Sequence, residues 1–173
     1  MTTGESTETV RGWLTGRLPQ EWFEGAPDVV VDREEITVVG RIPAPQVDEG
    51  ASDAERAAAV SGRVKEFRER TREQRMAIAR ELEHRSGRKV AWGVECGDRR
   101  ELFTTMSVPV MTRLRQPERR ILDTLVDAGV ARSRSEALAW CVRLVGRNAD
   151  EWLGDLRSAM EAVEKVRAQG PDA

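Results

Sequence analysis

The sequence predicts an α+β protein. A small N-terminal domain of two β-hairpins and one long helix is followed by a C-terminal strand-helix-helix unit and a terminal helix. Three observations carry this reading. Val/Ile-rich runs flank turn residues around positions 28–42 and 90–105. Apolar residues recur at three- and four-residue steps from about 52 to 84. Between 108 and 146 a two-residue period gives way to two helical stripes. The chain has 173 residues, enough for one ordinary domain or two small ones.

Residues 1–12 are polar and predict a disordered tail. The α+β domain is expected over 13–106. Trp13, Leu14, Leu18, Trp22 and Phe23 come first, punctuated by Gly16, Pro19, Gly25 and Pro27, and read as a cover on a core. Residues 28–32 and 36–42 flank Arg33-Glu34-Glu35 and predict a hairpin. Pro43, Pro45 and Gly50 mark a loop. Ser52-Asp53-Ala54-Glu55 is a capping box. The helix it starts carries Val60, Val64, Phe67, Thr71, Gln74, Ile78 and Leu82 on one side. Arg68, Arg72 and Arg75 stand with Glu69 and Glu73 on the other, the pattern of a solvated charged face. Val90, Trp92, Val94 and Cys96 alternate before Gly97-Asp98, and 102–105 returns as a second hairpin.

In 108–115, Val108, Val110, Thr112 and Leu114 alternate with Pro109, Met111, Arg113 and Arg115, as in a strand with one buried face. Pro117 and Glu118 open a helix with Ile121, Leu122, Leu125 and Val126 as its stripe. Gly129 stops it. Ser133 to Glu136 reads as a capping box for a second helix, with Ala137, Leu138, Cys141, Leu144 and Val145 on one side. Residues 148–173 predict a third, acidic helix bearing Trp152, Leu153, Leu156, Met160, Val163 and Val166.

Strand, helix, Gly turn and capped helix over 108–146 resemble the ribbon-helix-helix family of bacterial repressors and antitoxins. Arg132-Ser133-Arg134-Ser135-Glu136-Ala137-Leu138 is the most specific piece. The resemblance implies a dimerising DNA-binding unit over 107–147. Two strands pair antiparallel and enter the major groove. Met111, Arg113 and Arg115 then face the bases, and Arg132, Ser133, Arg134 and Ser135 sit where a helix start holds a phosphate. Leu114, Ile121, Leu125, Leu138 and Cys141 form the dimer core. Pro109 in the strand, and Thr112 and Gln116 at usually apolar places, depart from the family pattern.

Formal net charge is −2, so the whole molecule is not a basic nucleic-acid binder. The distribution is uneven: −6 over 1–52, +3 over 53–88, +4 over 108–147 and −3 over 148–173. Arginine supplies 25 of the 28 basic residues, which a GC-rich genome explains. Cys96 and Cys141 give no disulfide framework and no metal spacing. One histidine, His84, no nucleophile motif and no phosphate loop leave no catalytic set, so neither an enzyme nor a cofactor is expected. The start lacks the form of a signal peptide and no run reaches membrane-spanning length, so a cytoplasmic, nucleoid-associated protein with no membrane partner is expected.

The leading expectation is a homodimer on double-stranded DNA acting as a transcriptional regulator, with the N-terminal domain binding a small-molecule or protein partner. The alternatives are an antitoxin-like protein whose N-terminal domain occludes a toxin, and an enzyme or structural dimer built on that domain.

Overall fold

The computed structural model describes residues 6–169. They form two compact units that divide between residues 109 and 110. The first unit is α+β. Its order is α1 (Thr7–Arg17), β1 (Asp28–Val31), β2 (Glu35–Arg41), α2 (Asp53–Arg70), α3 (Arg72–Ser86), β3 (Lys89–Cys96) and β4 (Arg99–Leu102).

The four strands make one sheet in the order β1-β2-β3-β4. The outer pairs are antiparallel hairpins: the first is the expected one, whereas the second returns at Arg99–Leu102 and not at 102–105, because the tight Gly97-Asp98 turn starts the pairing at once, Cys96 against Arg99. Asp32 shapes the first turn, its Oδ1 accepting from the Glu34 and Glu35 N–H groups at 2.8 and 2.7 Å. Gly97, at φ +63°, supplies the left-handed residue of the second. The central pair, β2 with β3, is parallel: Ile36 faces Val90, Val38 faces Trp92 and Gly40 faces Val94. A parallel pair needs a crossover, and α2 and α3 supply it.

Two expectations are corrected here. The N-terminal stretch is not a tail as far as residue 12, because α1 begins at Thr7; positions 1–5 of that expectation lie outside the described residues. Ser6 caps α1 by accepting from the Thr9 N–H at 3.2 Å, and Val10 and Leu14 anchor it in the core. The single long helix is two, divided at Thr71. The Thr71 hydroxyl donates to the Phe67 carbonyl at 2.7 Å, a back-bond that competes with the helix ladder.

The core joins Ile36, Val38, Ile42, Trp92, Val94 and Cys96 of the sheet side to Val64, Phe67, Ile78 and Leu82 of the helices. Trp22 lies at its centre, edge-on to Phe67 at 5.9 Å and to Trp92 at 6.2 Å between centroids. The Gly/Pro-punctuated aromatics are thus core. A Cβ at Gly40 would stand inside the Phe23 ring, so only glycine lets that ring lie on the strand. Arg75 departs from the solvated-face reading: it is 6% exposed.

The second unit is helical: α4 (Gln116–Asp127), α5 (Arg134–Asn148) and α6 (Asp150–Gln169). Leu122, Ala131 and Ala137 are its buried residues, with Leu114, Leu125, Val126, Leu138 and Cys141 packed around them. No residue of α6 is buried. None of the described helices is long and apolar enough to cross a membrane.

Candidate nucleic-acid interface

The site is built from the approach to α4, the α4–α5 turn and the start of α5. The strand expected over 108–115 is not formed in the single chain: residues 104–115 are neither helix nor strand, because 108–115 does not join the four-stranded sheet and so has no ladder to pair with. Its N–H and C=O groups therefore have no ladder partner among the described residues. Met111 is 97% exposed, and Arg113 and Arg115 are exposed beside it. Leu114, of opposite parity, is half-buried against α4 and α5. Val110 shares its parity yet is 84% exposed in the single chain. An open groove of about 370 Å³ lies between this segment and the helices, with Val110, Leu114, Leu122 and Leu138 along its apolar wall. The Leu114 carbonyl accepts from Arg119 Nη1 at 2.9 Å, tying the segment to the first turn of α4.

The turn after α4 is a Schellman motif. Gly129 takes φ +73°; its N–H donates to Val126, and the Val130 N–H donates to Leu125 at 2.9 Å. The Ala131 N–H also reaches Leu125, and its methyl fills the corner under the turn. The extra residues before Ser133 therefore close the small core.

At the start of α5, Ser133 Oγ accepts from the Glu136 N–H at 3.2 Å. The reciprocal arm of the box shifts by one residue: Glu136 Oε2 accepts from the Arg132 N–H at 2.8 Å and from Arg132 Nε at 3.2 Å. Arg134 holds Asp123 of α4 with both arms, at 2.6 and 2.9 Å. Those hydrogen bonds keep the Asp123 carboxyl below the usual carboxylate range, and the Arg132 bonds do the same for Glu136. Both arginines expected at a phosphate are thus held by carboxylates within the unit, oriented but shared. The Arg134 and Ser135 N–H groups have no acceptor among the described residues and lie at the positive end of the helix.

Of the expected dimer core, Leu125, Leu138 and Cys141 join Leu114 as half-buried groups. Ile121 is 58% exposed, and so are most of the apolar side chains after it, Val142 and Val145 among them. Sequence reasoning missed that Leu122, one position on, is the α4 residue that fills the unit's own interior. No group of three or more His, Cys, Asp or Glu residues arranged for a metal ion occurs among the described residues.

Residues 8–102 match the family described as Rv1265-like protein, N-terminal domain, and residues 115–167 match the Mb1296 C-terminal domain. The chain belongs to the Rv1265-like family. It is 62% identical over 160 residues to the Rv1265 protein of Mycobacterium tuberculosis and to the Mb1296 protein of Mycobacterium bovis. Each alignment covers 92% of this chain and 69% of the relative. No solved structure matches. The two family matches fall one on each compact unit and leave 103–114, most of the unpaired segment, between them.

Proposed function

We propose that this protein is a dimeric, sequence-specific DNA-binding protein of ribbon-helix-helix type that regulates transcription. One observation carries the reading. Residues 108–115 stand outside the sheet of their own chain and lead directly into α4, a Schellman turn and a capped α5. A segment whose backbone groups before Leu114 have no ladder partner invites an identical one in antiparallel register, and two-fold symmetry follows. Pairing places Leu114 inward. Ile121, Val142 and Val145 are apolar groups that a second copy can cover.

The outward side chains then do the reading. Met111, Arg113 and Arg115 project from a ribbon that fits the B-DNA major groove. Arginine bonds guanine O6 and N7 with two parallel donors, and methionine touches a thymine methyl. Arg134 and Ser135 offer their N–H groups to a backbone phosphate, and Ser133 fixes the geometry of that helix start.

The test uses fluorescence anisotropy of the full chain on a duplex recovered by selection from a random library, against a scrambled duplex. Arg113→Ala and Arg115→Ala each cost about 1–3 kcal/mol on the selected duplex and less on the scrambled one. Variants that fold, by circular dichroism, and bind both duplexes as the parent does would remove the ribbon as the reading element.

A further inference from the structure

The first unit holds a cluster of arginines that the DNA-binding reading does not use. Lys65, Arg68 and Arg72 follow one another along one face across the α2–α3 junction, and Arg99 and Glu101 of β4 stand opposite. Between them lies a cleft of about 370 Å³. Two of these cations have carboxylates: Lys65 has Glu69 at 3.9 Å, and Arg99 has Glu101 at 2.6 Å. Arg68, Arg72 and Arg75 have none among the described residues.

Arg75 makes the arrangement unusual, because a charge this buried is ordinarily paired. Its Nε donates to Thr71 Oγ1 at 2.9 Å and its Nη2 to the Arg68 carbonyl at 2.6 Å. Its guanidinium lies 4.8 Å from the Phe103 ring centroid, and that of Arg68 lies 5.5 Å from the same ring. Arg68 also donates to the Phe103 carbonyl at 3.4 Å. Arg68 is therefore held over an aromatic face with part of its fork open, and Arg72 has no partner among the described residues. Burial, and after it repulsion from Arg68 and Arg72, pushes Arg75 down to about 10.

We propose that this cleft binds a small molecule carrying two or more phosphoryl groups, with Arg68 and Arg72 as its main donors, Lys65 beside them and Arg75 as the fixed charge behind. Planar guanidinium forks match phosphoryl oxygens in pairs, and a dianionic group supplies the charge that the protein omits. All of these residues lie in the first unit, so the inference stands independently of the ribbon reading.

The experiment is isothermal titration calorimetry of the full chain with inorganic pyrophosphate at 0.15 M ionic strength (about physiological), paired with thermal unfolding. Saturable one-site binding with a raised melting temperature is expected. Arg72→Gln, at an exposed position without a fold contact to lose, weakens binding about tenfold or more, the loss of one charge-assisted bond. Arg68→Gln does the same. Arg56→Gln, whose guanidinium caps the Glu49 and Ala51 carbonyls beside the neighbouring cleft, leaves it unchanged. Absence of saturable heat up to millimolar pyrophosphate overturns the proposal. So does equal binding by parent, Arg68→Gln and Arg72→Gln, or binding of citrate as tight as that of pyrophosphate, which would assign the cleft to polycarboxylates.

Discussion

Arg75 stands where a helix facing a sheet ordinarily carries an aliphatic side chain. Its stem fills core volume and its head satisfies two acceptors at the Thr71 junction. The charge itself is a liability: a base held below its ordinary value costs stability at every pH under about 10, and the cost is relieved only as pH rises through that value. Volume and charge therefore separate by substitution. Arg75→Ala loses the Phe103 contact and the hydrogen bonds and should cost roughly 2–3 kcal/mol. Arg75→Met keeps most of the volume and removes the charge, so its cost should stay within about 1 kcal/mol. Urea denaturation distinguishes them; equal losses would mean that the guanidinium bonds, not packing, hold the junction. Arg134 poses a parallel question on the surface. Asp123→Asn leaves Arg134 without its anionic partner, so binding to all duplexes should tighten together, without a gain in specificity. Anisotropy on selected and scrambled duplexes reads that directly.

The start of α5 is where element stability and the proposed phosphate contact meet. Ser133→Ala removes the cap and should destabilise the protein by about 1 kcal/mol. It should also weaken every duplex alike, because it loosens a positioning element. Acid acts at the same place. Asp123 and Glu136 have folded values below their ordinary ones, so their contribution is present above the ordinary carboxylate range and lost as pH falls through the folded values. Stability should drop below about pH 4, and the Asp123→Asn, Glu136→Gln double variant should show a flatter profile there. Chemical denaturation across that range checks it. An unchanged slope in the double variant would place the acid sensitivity elsewhere, for example at Glu81, which Arg17 lowers in the same way.

At the scale of the molecule, the second unit exposes a series of large apolar side chains. Ile121, Val142, Val145, Trp152, Met160, Val163 and Val166 are all more than half exposed. Under the ribbon reading, the full chain should be a dimer at micromolar concentration by light scattering, and Leu114→Arg should abolish that dimer by burying an unpaired charge. A folded, monodisperse monomer would be incompatible with that reading.

How far the sequence reaches is clearest where a signal is local. The Val/Ile runs, the Gly97 turn, the Gly129 helix end and the Ser52 and Ser133 caps depend on neighbours a few residues away, and the sequence predicts them. The α+β class follows from their order. Helix α1 escaped because only Val10 and Leu14 mark its buried side, too few for a period. The parallel pairing of β2 with β3 escaped because hairpin signals report antiparallel neighbours only, while a crossover is fixed by the packing of α2 and α3 on the sheet. In the candidate interface, the sequence supplies the side-chain types and their alternation. Tertiary structure alone decided that 108–115 stays out of the sheet, that Asp123 and Glu136 hold Arg134 and Arg132, and that Arg75 lies buried on Phe103. Each of those outcomes rests on groups far apart in the chain or on a choice between competing partners, and periodicity carries no information about either.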